Sequence, residues 1–485
     1  MKPYPLALLF GALCLAINAF GTTLFTNLHD FSPLVETNAA GVLTNFDGAN
    51  SHAGLIIFGN TLYGTTTLGG TNDSGTVFKI NTDGTAFSVL HEFNDGGRPA
   101  ANLVFSSNFL YGTTEYGGTN GNGSIFKISA DGTGYTNLYN FSALLNMNLQ
   151  GDLTNGDGAN PTAGLLLIGS ALYGTTTAGG VGGSGSVFAI NTNGTAFTNL
   201  YSFSPVIKFT NSDGAAPAAG LAFYAGTLYG TAQFGGAGGS GSVFAINTNG
   251  TAFTNLYSFS PITNLINSDG AYPVGGVAYA GGELFGTTLA GGTNENGTLF
   301  ALSASGGSMT NLHVFGATSG SLLTNVDGAE PVATLAMSGN TLYGTTQLGG
   351  SGGAGAIFSI STNGSNFQTL YDFTPVDFNS SLGVPTNSDG GSPQGDLVIS
   401  GNSLYGATLN AGAGGSGGVY VFSLGPIPLR IQSLNNAVVL TWGNPAFSLL
   451  AATNANGVYS ALPGAASPFT NSIASPREFF SLEAF

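Results

Sequence analysis

An Asp-Gly pair recurs seven times along the chain, at Asp47, Asp95, Asp157, Asp213, Asp269, Asp327 and Asp389. Four of these stand in "NSDG" or "NGDG" with a Pro shortly after. Carboxylate oxygens are the hard ligands that Ca²⁺ takes, so a calcium- or sugar-binding acidic face is one reading. The other is conformational: an Asp before a Gly accepts backbone N–H bonds and organises a tight turn. Seven like copies favour the turn, because repeated units need like corners. "TNGDGAN" (Thr154–Asn160) also lacks the D-x-D-x-D-G spacing and distal Glu of a calcium loop.

The other residues capable of chemistry are scattered. His29, His91 and His313 fill the slot that holds Tyr in "NLYSF" and read as repeat variation, whereas His52 has no such slot-mate. Glu36, Glu115, Asp152, Glu283, Glu295 and Glu330 fall in different repeats with no recurring partner. Glycoside hydrolysis needs two carboxyl groups flanking one bond, so catalysis is disfavoured. Glu115 is the least expected of the set, because it follows "YGTT" where neighbouring copies carry Thr. Glu115 and His52 are therefore the candidates for a ligand-contacting face. The loops "GGVGGSG" and "GGAGGSG" are followed by no Lys and no predicted helix, so they read as hairpin turns and not as phosphate cradles. No cofactor is implied beyond the Ca²⁺ alternative.

The elements that must position these residues are repeats. "SGSVFAINTNGTAFTNLYSFSP" begins at Ser184 and again, letter for letter, at Ser240. An "LYGTT" element returns with its Gly at Gly64, Gly112, Gly174, Gly230, Gly286, Gly344 and Gly406, at spacings of 48 to 62 residues. Each unit predicts four antiparallel strands. In the third they are a buried apolar run "AGLLLIG", then "ALYGTTTAGG", "SVFAI", and "FTNLYSF" with period-two alternation. "NTNG" (Asn191–Gly194) supplies a tight hairpin turn between the last two. Four strands at this period read as a propeller blade.

The strand series are out of step. "VF-I" strands run from Phe78 to Phe422, while "NLY-F" strands end at residues from Phe31 to Phe373. The orphan "FTNLHDF" (Phe25–Phe31) can thus complete the last unit, closing a seven-bladed ring and removing two exposed edges. In that plan the Asp-Gly pairs and glycine-rich loops share one face. Connections of unequal length gather there: Ser32–Asn45 and Ser142–Gly156 are long, and the second unit's is almost absent. Such loops on a rigid scaffold are where a polysaccharide or another protein would be recognised.

Composition agrees. Of 485 residues, 79 are Gly and 42% are hydrophobic, but only 6% are charged. The glycines follow no triplet period, which excludes collagen. Seven Lys and Arg, spread singly, form no basic patch, and the net charge is −16; nucleic-acid binding is excluded. The opening "MKPYPLALLFGALCLAINAFGTT" reads as a signal peptide over residues 1–21, cleaved after Ala19 or Gly21. Its apolar run, Leu6 to Ile17, is short for a bilayer span, so a secreted or cell-surface chain with no membrane span is expected. The sole cysteine, Cys14, lies within it, leaving the mature chain without disulfides. From Pro426 the period breaks, and 425–485 reads as a small β module with Trp442 in its core. A monomer is expected.

The motif "LYGTTxxGGxxxxGxVFxI", with "NTNGTAFTNLYSF" and "NSDGAxP", resembles the GloVer tandem repeat of secreted bacterial proteins over about residues 22–424. The resemblance implies a signal peptide, a repeat array and a variable C-terminal tail, and it implies no activity. The strand plan also loosely resembles kelch blades, an analogy of fold alone. The expectation is thus all-β: a closed propeller of seven four-stranded blades over 22–424, plus a C-terminal β module. Its expected role is a non-catalytic binding or scaffold module. The alternative is a carbohydrate-active hydrolase or lyase with an acidic cleft on the loop-bearing face.

Overall fold

The computed structural model describes residues 25–425 and, beyond them, the backbone of the strand segments between Arg430 and Ala484. The signal-peptide reading, with Cys14, and the placing of Trp442 lie outside the described residues. Among the described residues every named element is a strand, and seven sheets have four strands each.

The third sheet shows why these sequences make these strands. Ala171–Thr176 pairs with Ser186–Asn191, running from Ala171 opposite Asn191 to Thr176 opposite Ser186. Phe188 stands opposite Gly174 and lies across it; a Cβ on Gly174 would come 2.5 Å from Phe188 Cζ. The glycine of "LYGTT" is therefore the space that the phenylalanine of "VF-I" fills. The first strand is only Leu166–Ile168, and it is half-buried where the apolar run predicted burial on both faces. Its side chains still pack toward a neighbouring sheet on each side, Leu167 toward the second and Leu166 and Ile168 toward the fourth.

The fourth strand, Thr198–Ser202, does not keep the expected strict alternation. Val187 faces Tyr201 and Phe188 faces Asn199, so Leu200 is bulged out. The same slip occurs in all seven four-stranded sheets. A bulge re-aims the extra residue, and Leu200 packs into the cluster shared with the fourth sheet.

Sheets pack face to face in chain order through such clusters. Between the third and fourth, Val187 and Phe203 meet Leu221, Leu228 and Phe244. Phe203 meets Phe244 edge-on at 5.3 Å, and Phe253 stacks on Tyr201 at 3.7 Å. Each fully buried Phe of this kind contributes about 1.5–3 kcal/mol.

The last sheet takes its fourth strand from the N-terminus: Phe25–Asp30 pairs with Gly418–Ser423, from Phe25 opposite Phe422 to Asp30 opposite Gly418. Phe25 stacks on Tyr371 of the sixth sheet at 4.3 Å, as Phe253 does on Tyr201. A further cluster joins the seventh sheet to the first, with Tyr405, Val419 and Phe31 against Leu55, Leu62 and Phe78. Beyond residue 425, the strands form two three-stranded antiparallel sheets.

Candidate functional site

Six of the seven Asp side chains are buried and hydrogen-bonded inside their own turns. Asp213 accepts from Ser204 N at 2.9 Å, from Ser204 Oγ, and from Tyr201 Oη at 2.8 Å. Asp157, Asp269 and Asp389 repeat this pattern with Ser142 and Tyr139, Ser260 and Tyr257, and Thr374 and Tyr371. At Asp47 and Asp327 the aromatic partner is His29 or His313, at 3.2 and 2.8 Å. These histidines take the place of Tyr, as the repeat alignment predicted. The carboxylate holds the chain end of the fourth strand against the aromatic before it. Burial with the Asp bond raises the hydroxyl pKa of Tyr139, Tyr201, Tyr257 and Tyr371 far above the usual range.

Asp95 is the exception. Its turn follows Phe93 directly, with no insertion, and the residue is exposed. It accepts from Gly118 N at 2.8 Å. In other repeats that amide belongs to an Asn two residues before the Asp: Gly180 N and Gly158 N both donate to Asn155 Oδ1, and Asn155 Nδ2 donates to Ser142 O and Gly158 O. Asn211, Asn267, Asn325 and Asn387 do the same. Sequence reasoning missed these asparagines, although the N of "NSDG" and "NGDG" signals them.

The two ligand-face candidates meet in one place. His52 and Glu115 both line a cavity of about 930 Å3 to which all seven units contribute. Each unit ties a residue just past the Asp-Gly turn to a residue just past "LYGTT" by one backbone bond, and in the first, second and fourth units both members line the cavity. Thr67 N donates to Asn50 O, Glu115 N to Arg98 O, and Gln347 N to Glu330 O, at 3.1 to 3.2 Å. The first of each pair is held at positive φ, with Arg98 at 47°, Glu330 at 56° and Tyr272 at 58°. Non-glycine residues there carry about 1–3 kcal/mol of strain, which the surrounding ring must over-determine.

Side chains add further bonds. Gln394 Nε2 donates to Gln347 Oε1 at 2.7 Å, and Gln347 Nε2 donates to Glu330 Oε2 at 2.6 Å. Burial lowers the His52 pKa, which its hydrogen bond with Gln394 partly offsets. Two residues past His52, hydrogen bonds link four of the units. Gly54 N donates to Asn102 Oδ1 at 2.6 Å, Asn102 Nδ2 to Asp396 Oδ2 at 2.6 Å, and Thr334 N to Asp396 Oδ1 at 2.7 Å. Asp396 borders the cavity yet is enclosed by protein, and this burial raises its carboxyl pKa. Nothing in its own repeat marks it out.

The remaining carboxylates do not gather. Glu36, Glu283 and Glu295 are exposed; contrary to the sequence reading, Glu283 and Glu295 share the fifth unit, on its second strand and in the loop that follows it. Asp152 accepts from Asn148 Nδ2 at 2.9 Å within its loop. Among the described residues, no three of His, Cys, Asp and Glu converge as a metal site, and no helix is long and apolar enough to cross a membrane.

No curated protein matches the sequence. Among solved structures, the chain is similar to the nidogen/laminin complex, at 14% identity and TM-score 0.37, covering 62% of this chain and 90% of that one. TolB from Acinetobacter baumannii is 14% identical with TM-score 0.36, over 60% of this chain and 58% of TolB. The tricorn protease is 11% identical with TM-score 0.36, over 86% of this chain but 35% of its own. Residues 23–159, 146–263, 204–386 and 266–460 match a repeat family in overlapping segments. The resemblance read from the "LYGTT" motif is thereby borne out: the chain belongs to the Gloeobacter/Verrucomicrobia repeat family.

Proposed function

We propose that the chain is a secreted, non-catalytic binding or scaffold module, built as a closed seven-bladed propeller over residues 22–424 with a small β module at 425–485. It engages a polysaccharide or another protein on the face that carries the Asp-Gly turns. One observation carries this reading. The positions at which the repeats differ most, among them His52, Arg98, Glu115, Gln233 and Gln394, converge on one cavity to which every unit contributes. Repeats that agree in their cores and diverge at a shared concavity are built like a scaffold with a recognition surface. The N-terminal strand in the last sheet and the cluster joining the last sheet to the first support closure.

The Asp-Gly turns serve structure in this reading, because six of the seven carboxylates accept hydrogen bonds from partners in their own turns, although Asp269 Oδ1 is left without one. The hydrolase alternative draws no support from Asp396, whose hydrogen bonds to Asn102 and Thr334 commit it to the cavity wall.

The test is a polysaccharide array probed with mature protein, first in calcium and then in chelator, beside a binding assay on purified cell-surface proteins. Binding that survives chelator is expected. Binding abolished by chelator would contradict the structural role of the turns, and sugar turnover on the array would contradict the non-catalytic role.

A further inference from the structure

Resting on that reading, we infer that the cavity and a groove beside it form one track for a linear, neutral glycan, with a terminal sugar in the cavity and the next sugars over Phe234 and Tyr272. The groove, of about 860 Å3, lies among the loops of the third to fifth units. It shares Thr177, Ala216 and Phe234 with the cavity, so the two adjoin at these residues. Phe234 keeps 43% exposure at this junction and meets Tyr272 edge-on at 5.5 Å. Phe209, 84% exposed, stands further along the groove. A track through both suits a polymer better than a single small molecule.

The chemistry of the walls selects the ligand class. A pyranose has an apolar C–H face and a hydroxyl edge. The fourth and fifth units offer Ala218, Phe234 and Val274 to one side of the cavity, and aromatic faces suit C–H surfaces. The seventh, first and second units offer Gln394, His52, Arg98 and Glu115 to the other. The amide chain from Gln394 through Gln347 to Glu330 holds its donors in place before any ligand arrives, which lowers the ordering cost of binding. Asn102, Asp396 and Thr334 also line the cavity, with Asp396 accepting from the other two. Charges in the lining are mixed in sign: Arg98, Glu115 and Asp396 border the cavity, and Lys208 and Asp152 border the groove. On a chain of net charge −16, such a site offers nothing to concentrate a polyanion.

Calorimetric titration with dimers, tetramers and hexamers of β-1,4-glucose, β-1,3-glucose, α-1,4-glucose and β-1,4-mannose tests the track, with hexagalacturonate as the acidic control. Affinity for one neutral series should rise with length. Phe234→Ala and Gln394→Ala should each weaken hexamer binding about tenfold, while Phe378→Ala, on an exposed loop outside both cavities, should not; circular dichroism checks that each variant is folded. Hexamer binding equal in all three variants would overturn the track while leaving the loop face as a binding surface. Binding confined to hexagalacturonate would overturn the neutral class. No sugar binding by a folded protein that still captures a purified surface protein would overturn the glycan track alone, and binding to neither would overturn the broader function as well.

Discussion

Asn102 Nδ2 donates to Asp396 Oδ2 at 2.6 Å, although the two residues are 294 positions apart. The bond ties the second repeat to the seventh and passes the first at Gly54, where a side chain would come 2.8 Å from Asp396 Cβ. Gly54 is therefore small because the backbone of Asp396 packs against it, with Asp396 O only 2.6 Å from where a Cβ would stand.

Burial holds the Asp396 carboxyl above the ordinary 3.8, with hydrogen bonds from Thr334 and Asn102 partly opposing. The folded protein then keeps this proton to higher pH than the unfolded chain does. Its contribution to stability is complete below about pH 3.8 and falls as pH rises through the raised pKa. Urea unfolding of wild type and Asp396→Ala at pH 3.5 and 7 reads the sign. The wild-type advantage should be about 1–3 kcal/mol at the lower pH and smaller at the higher. An advantage that grows with pH would contradict the assignment.

Asp213→Ala strands three donors, Ser204 N, Ser204 Oγ and Tyr201 Oη. It should cost about 1–3 kcal/mol. Asp95→Ala, at an exposed carboxylate that accepts from Gly118 N, should cost less in the same thermal melt. Chelator should leave the wild-type Tm unchanged; a fall on chelation would return these turns to a metal-binding role.

Histidine titration by NMR gives a check inside the cavity. Burial lowers the pKa of His52 against its Gln394 bond, and lowers that of His91 against the charges of Asp95 and Glu92. A depressed histidine in the folded state binds fewer protons than in the unfolded chain. Its stability contribution is thus complete above about pH 6.5 and is lost as pH falls toward the folded pKa. Both rings should titrate below 6.5, with His52→Gln and His91→Tyr assigning the signals. A His52 midpoint at or above 6.5 would place that ring in open solvent.

Much of the fold was legible in the sequence because the repeat lays out each strand seven times. The out-of-step series of Phe422 and Phe31 even placed the N-terminal strand beside the last sheet. The Asp-Gly turns were legible as turns, but their partners were not. Tyr201 and Asp213 are brought together by the return of the loop, which letter spacing does not describe. The bulge at Leu200 was hidden because "FTNLYSF" alternates well on paper, and only packing against the next sheet moves the leucine out of register. Asp396 was hidden for a topological reason: its partners Asn102 and Thr334 lie 294 and 62 positions away, in other repeats. Glu115 stood out as a departure from its slot and His52 as a histidine with no slot-mate, and they do share a cavity.

The cavity exists only if the first and last repeats meet, so the decisive measurement is amide hydrogen exchange of residues 25–30. Paired with Gly418–Ser423, their hydrogen-bonded amides should exchange as slowly as those of the equivalent strand Thr198–Ser202. Exchange at the rate of a free tail would mean an open row of sheets, without the shared cavity on which the binding function rests.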